Sequence, residues 1–170
     1  MKTLLTLVSV LASLSIAQSQ SFTANLDGAQ DGGVARQGTG FVNLTLSGTD
    51  LSLAGSYSGL SSTATAGHIH GPGAVGVNTN VLYNLASLGI LTLGVSGTYN
   101  GTVHLAPIGA YTVAQQITDL DNSLWYLNIH DANFPGGEIR GQIVPVPEPS
   151  SLALLGLGAG GLLWWMRRRK

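Results

Sequence analysis

Apolar and polar residues alternate in short runs through most of this chain. Residues 22–26 (FTANL), 41–46 (FVNLTL), 51–57 (LSLAGSY), 63–70 (TATAGHIH), 97–105 (GTYNGTVHL), 124–130 (LWYLNIH) and 138–144 (EIRGQIV) carry the period of two that puts successive side chains on opposite faces of a strand. Glycine, Asn and Asp turns separate these runs. Seven short strands in about 125 residues predict one all-β domain, an antiparallel β-sandwich or barrel. Residues 110–121 (AYTVAQQITDLD) form the one predicted helix, and 79–88 (TNVLYNLASL) reads as helix or strand.

The two ends break this pattern. Met1, Lys2 and Thr3 precede an apolar run from Leu4 to Ala17, and small and polar residues follow, which is the grammar of a cleaved signal peptide. Cleavage after Ala17 or after Ser19 satisfies the small-x-small rule equally. At the other end Pro145, Pro147 and Pro149 interrupt regular structure before an uncharged apolar run from Leu152 to Met166. Four cations, Arg167, Arg168, Arg169 and Lys170, close the chain as a membrane-stop cluster. Fifteen residues rise roughly 22 Å as a helix, short of the roughly 30 Å hydrocarbon core. A single transmembrane helix here therefore draws in Ser150 and Ser151 or thins the bilayer. Trp164 and Trp165 beside the basic cluster place the C-terminus in the cytoplasm and the β domain outside.

The expected organisation is a signal peptide over 1–19, a β domain over 20–145 and a sorting and anchor segment over 146–170. The order VPEPSS, apolar helix and terminal arginines resembles the PEP-CTERM sorting segment of bacterial exported proteins. That resemblance implies Pro147, Glu148 and Pro149 as the recognition motif and an exosortase-type processing enzyme as partner. It further implies anchoring in the inner membrane with the domain outside the cytoplasm, followed by release to the cell surface or the extracellular space.

Charge narrows the function classes. Between residues 20 and 149 Arg36 and Arg140 are the only cations, against seven Asp or Glu residues in the domain and Glu148 in the tail, a net of −6. Such a surface cannot neutralise phosphates, which excludes nucleic acid and anionic lipid as partners of the domain. No cysteine is present, so neither disulfides nor a lipidated cysteine supports the exported form. GPGAVG at 71–76 has the spacing of a dinucleotide loop, but Pro72 occupies the turn and no acidic residue follows near position 96 to hold a ribose. No nucleophile elbow and no glycosidase-like carboxylate pair stands out, which favours a non-enzymatic module.

Candidate chemistry gathers in GHIHGP (67–72) and WYLNIHDANFPGGEIRGQI (125–143). Alternation puts His68 and His70 on one face of their strand. In the second block Trp125, Leu127 and Ile129 share the apolar face, and Tyr126, Asn128 and His130 face away; Glu138, Arg140 and Gln142 do the same after the turn. A hairpin around DANFPGG places His130 opposite Glu138, Asn128 opposite Arg140 and Tyr126 opposite Gln142. His68 and His70 join them only if their strand lies alongside. His104 also points away from the core, with nothing adjacent to mark it as more than solvated surface.

FTANLDGAQ, TATAGHIHGP and NIHDANFPGGEIRGQI resemble the signature blocks of the CHRD domain, over about residues 21–144. The resemblance implies an immunoglobulin-like β-sandwich; residues 75–120 match it little. Two readings of the polar face remain. In one, Asn128, Glu138 and Arg140 form with the histidines a structural network that fixes strand register. In the other, His68, His70 and His130 supply three imidazoles to copper or zinc, with redox activity in the copper case. The functional expectation is a secreted or cell-surface module acting in the extracellular matrix or polysaccharide layer, with polysaccharide or matrix protein as partner. The alternative is an extracellular metal-binding protein.

Overall fold

The computed structural model describes residues 19–30, 36–147 and 165–168. Eight strands and one helix follow in the order β1 (Gln20–Asp27), β2 (Thr39–Ser47), β3 (Asp50–Ser58), β4 (Ala64–His70), β5 (Val81–Asn84), β6 (Gly97–His104), α1 (Val113–Asp121), β7 (Tyr126–Asp131) and β8 (Ile139–Pro145). Every segment expected to be a strand is one. The ambiguous stretch at 79–88 contributes β5, and the helix begins where Thr112 and Gln115 form a reciprocal capping box. The all-β antiparallel class is as expected. Its strands are bonded into one continuous sheet, in the order β5-β4-β7-β8-β1-β2-β3-β6, instead of being divided between two.

Local sequence explains the pairing. Ser47 and Asp50 oppose each other across a two-residue turn in which Gly48 has φ +61°, the left-handed conformation a tight hairpin needs at its first central position. From there β2 and β3 pair without a break from Ser47–Asp50 to Thr39–Ser58. One face of the sheet carries the core: Phe22, Ala24 and Leu26, then Val42, Leu44 and Leu46, then Leu51, Leu53 and Tyr57, with Tyr99, Val103, Leu127, Ile129, Ile139 and Ile143, all buried. Burying each large side chain contributes about 1.5–3 kcal/mol, which is how a chain without cysteine holds the sheet.

The two free edges, β5 and β6, are brought together by the segment between them. Asn100 N–H donates to Ile90 O (2.8 Å) and Thr92 N–H to Thr98 O (3.0 Å), while Ile90 and Leu91 N–H groups donate to Leu85 O (2.9 and 3.2 Å). Leu91 lies directly over Gly67, where a Cβ would overlap it. The sheet is thus almost closed on itself, and its edges are not available for pairing with another chain.

The outer face differs between the two halves of the sheet. Over β1, β2, β3 and β6 it is open to solvent in three cross-strand rows: Asn25, Phe41, Ser56 and Thr98; Thr23, Asn43, Ala54 and Asn100; Ser21, Thr45, Ser52 and Thr102. None of these positions is charged. At the end of this face His104 pairs with Asp50 (2.6 Å). Over β4, β7 and β8 the outer face is buried beneath residues 71–80 and 132–137. Tyr126, Asn128, Arg140 and Gln142 are each 8 % exposed or less.

The expected cross-strand pairs Asn128–Arg140 and Tyr126–Gln142 are present. The third side-chain neighbour pair, His130 with Glu138, is not: the Glu138 N–H donates to Ile129 O (2.7 Å), but its carboxyl turns to Ser61, whose N–H lies 3.0 Å from both oxygens. Its neighbour there is Asp131, which accepts from Ser61 Oγ (2.9 Å), Ser62 N–H (2.9 Å), Ser62 Oγ (2.8 Å) and Phe134 N–H (2.6 Å). Glu138 therefore belongs to a buried carboxyl pair that clasps residues 61–62 to the β7–β8 hairpin. The backbone N–H and hydroxyl of Ser61 draw the side chain to that turn.

The tail is described only at Trp165–Arg168, a turn of helix that includes Arg167 and Arg168. Residues 1–18, Glu148, Pro149, most of the apolar run, Arg169 and Lys170 lie outside the described residues, and with them the expected signal peptide and transmembrane helix. Among the described residues no helix is long and apolar enough to cross a membrane.

The environment pushes the pKa values of the two carboxyls in opposite directions. Burial, reinforced by the hydrogen bond to Asp131, raises the Glu138 pKa above 4.5. Burial would raise Asp131 as well, but hydrogen bonds from Glu138, Ser62, Phe134 and Ser61 outweigh it and hold that group at about 2. The stabilisation from Asp131 is lost as pH falls from 3.8 towards 2. That from Glu138 is complete below 4.5 and is lost as pH rises through its folded-state value. Glu138→Gln, whose amide keeps a donor at every pH, is expected to match wild type near pH 4 and to gain on it progressively towards pH 8 in urea midpoints. A difference between the two proteins that does not change with pH would show that the Glu138 pKa is not raised.

Candidate metal centre

The strand pairing that sequence left open is made: β4 lies beside β7, with His68 opposite Asn128, Ala66 opposite His130 and His70 opposite Tyr126. This brings the three histidines together on the outer face. One ligand atom from each of His68, His70 and His130 can be chosen so that all lie within 4.8 Å of one another. His68 Nδ1 is 3.0 Å from His130 Nε2. Two imidazoles bound tetrahedrally to one zinc ion at about 2.0–2.1 Å would have nitrogens about 3.3 Å apart. That pair is therefore close to the required spacing, and side-chain rotation must close the remaining separations from as much as 4.8 Å.

Two of the rings have their tautomers set from outside. His70 Nδ1 lies 2.9 Å from Thr79 O, and His130 Nδ1 lies 2.9 Å from Pro135 O. A carbonyl oxygen only accepts, so each Nδ1 carries the proton and each Nε2 in the neutral ring presents a lone pair. Outer partners of this kind fix the orientation of a metal-binding imidazole. His130 Nε2 then accepts from His68 Nδ1–H, and because its single lone pair cannot both accept and ligate, metal entry requires that hydrogen bond to be surrendered whichever nitrogen His68 offers. The pKa of His68 is pushed down to about 4, first by burial and then by the neighbouring His130 and His70. The ring stays neutral through the ordinary pH range, as a ligand must.

Beyond the histidines the face is tightly packed. The His70 ring stacks on Tyr126 at 4.8 Å and 6°. The Arg140 guanidinium lies 3.3 Å from the centroid of the same tyrosine, so Tyr126 is held between an imidazole and a cation. Arg140 donates to Val77 O (2.8 Å) and to Asn78 Oδ1 (3.1 Å), which fastens residues 71–80 over the site. Gln142 adds Gly73 O (3.0 Å) and Ser123 O (2.6 Å), and the Tyr126 hydroxyl accepts from Thr79 N–H (3.1 Å). Asn128, 4 % exposed, reaches Gly136 O at 3.5 Å.

Sequence-predicted residues thus fall into three groups. His68, His70 and His130 converge; Asn128 and Arg140 lie in the adjoining rows of the same face; Glu138 is turned away to the carboxyl pair. Pro147 lies just past β8, outside this site. Sequence reasoning missed the carbonyls of Thr79 and Pro135, because backbone acceptors carry no residue signature. It missed the sandwiched role of Tyr126 as well. It also missed Asp131, for which the signal was an Asp at the start of a DANFPGG turn, a position that accepts from the turn's own N–H groups.

Comparison with known families gives two matches. The CHRD domain model matches residues 22–143, and the PEP-CTERM protein-sorting motif matches residues 145–170. No curated protein and no solved structure matches the chain significantly. The sorting motif marks an exported protein of the cell envelope and implies processing by an exosortase-type enzyme. Between the first strand and the last, where the sheet, the histidines and the cover over them all lie, the chain belongs to the CHRD domain family.

Proposed function

We propose that this protein is a non-enzymatic module of the extracellular layer whose β domain holds one transition-metal ion, copper or zinc, between His68, His70 and His130. The carrying observation is the convergence of three imidazoles with two Nδ1 protons already committed to backbone carbonyls. An all-imidazole donor set suits zinc and copper more than magnesium or calcium, which take oxygen. Copper would add one-electron chemistry at the same ligands. The C-terminal segment anchors the domain in the inner membrane until it is processed.

A second observation supports the matrix side of this reading. On the uncharged outer face Ala54 sits between Asn43 and Asn100, and the small side chain leaves a trough of about 290 Å³ bordered by Thr45, Ser52 and Thr102. Amides and hydroxyls without charge match the hydroxyls of a neutral polysaccharide.

Three outcomes are expected. Zinc or copper at a hundredfold excess over Kd should stabilise the domain by about 2.7 kcal/mol, a rise in Tm of about 10 °C for this size. The rise should be reversed by chelator and absent in His68→Ala; a wild-type Tm indifferent to both ions would remove the metal. In a host with an exosortase, intact mass of the extracellular protein should show loss of residues 1 to about 19 and of the tail beyond the Pro147–Pro149 region. Retention of Trp164 and Trp165 there would contradict sorting by cleavage. In native gels cast with dextran, hydroxyethylcellulose or galactomannan, at least one neutral polymer should retard the wild-type domain and not Ala54→Arg; equal mobility of both in all three would remove the polysaccharide reading.

A further inference from the structure

The three histidines leave a fourth position on a tetrahedral ion, and the covered face around them holds several buried side-chain oxygens without a hydrogen-bond partner among the described residues: Asn128 Oδ1, Thr79 Oγ1 and Gln142 Oε1. Of these, Asn128 stands in the histidine rows of the β4–β7 pair. Asn128 is directly opposite His68 across the β4–β7 pair and two residues from His130 on the same face. Its Nδ2 donates to Gly136 O, next to the Pro135 carbonyl that orients His130, so one short loop holds both side chains. The opposite end of the amide, Oδ1, is buried and meets no hydrogen-bond donor among the described residues. Buried acceptors are nearly always satisfied, and an exception beside a candidate ligand set indicates a group that belongs there.

We propose that Asn128 is a positioning residue of this centre, its Oδ1 accepting a hydrogen bond from a water bound as the fourth ligand of the ion. The inference rests on the metal reading above. It explains why an amide stands at this place in the row: a carboxylate would add a charge, and an apolar residue of the same size would leave the water without its acceptor. The same bond selects for an ion that keeps a water ligand, such as zinc, cobalt or oxidised copper, over a three-coordinate one.

Cobalt(II) is the probe, because its visible bands report coordination number and ligand field. Wild type should bind cobalt with the intense bands of a four-coordinate site. Asn128→Leu should bind it about ten- to hundredfold more weakly, the usual effect of removing an outer hydrogen-bond partner, with altered bands. Asn128→Asp, which restores the acceptor, should recover a four-coordinate spectrum. Melting with chelator present establishes that each variant is folded, and Asn128→Ala replaces Asn128→Leu should the latter not fold. Wild-type affinity and bands in a folded variant lacking the acceptor would overturn the role of Asn128 and leave the triad standing. Absence of cobalt binding by wild type, or binding unchanged in His68→Ala, would overturn the triad and this inference together.

Discussion

The guanidinium of Arg140 is the constraint on which the rest of this structure depends. It is 1 % exposed, and an unpaired charge at that depth would cost several kcal/mol. The protein meets it with the face of Tyr126, the Val77 carbonyl and the Asn78 amide. Two of those partners lie on the segment 71–80, so satisfying the cation and closing the cover are one event. The cover turns the outer face of β4, β7 and β8 from a surface into a second, polar core.

That second core is where the chemistry can be. On the open half of the sheet the same alternation leaves Ser, Thr and Asn in water, where an imidazole would be an ordinary solvated ring, as His104 nearly is. Under the cover His68 is desolvated and kept neutral, and His70 is stacked in place. The carbonyls that set the tautomers of His70 and His130, Thr79 and Pro135, belong to the two covering segments. Preorganisation of the histidines therefore comes from loops that Arg140, Gln142 and Asn128 hold down, which joins the structural-network and metal-site readings of these residues. The network supplies the geometry that ligation would use.

The scarcity of charge shapes the other buried polar cluster. Only two cations lie between residues 20 and 149, and among the described residues Glu138 and Asp131 accept from polar, uncharged groups of residues 61–62 and 134. The two carboxyls are satisfied by serine hydroxyls and backbone N–H groups. These bonds make the hairpin and residues 61–62 a unit beside the His130 end of the histidine cluster. An exported domain without disulfides thus relies on a nearly closed sheet, a buried cation and a buried carboxyl pair.

The sequence by itself determined the strands, their inward faces and the polar sorting of the histidine and GEIRG blocks, because alternation is imposed by the pleat and survives in any tertiary context. It also determined the hairpin register at Asn128–Arg140 and Tyr126–Gln142, since a slip of one residue would have turned Leu127 and Ile129 away from the apolar face. The sorting signal and the family were legible as motifs. Only the tertiary structure decided that β4 lies beside β7, because strand neighbours distant in sequence are chosen by packing over the whole sheet. Only it decided that the polar face is covered, that Glu138 leaves His130 for Ser61, and that Asn128 Oδ1 meets no donor among the described residues. Each of these depends on where a loop comes to rest, and a loop's resting place is fixed by the carbonyls and N–H groups it meets, which the identity of its own residues does not encode.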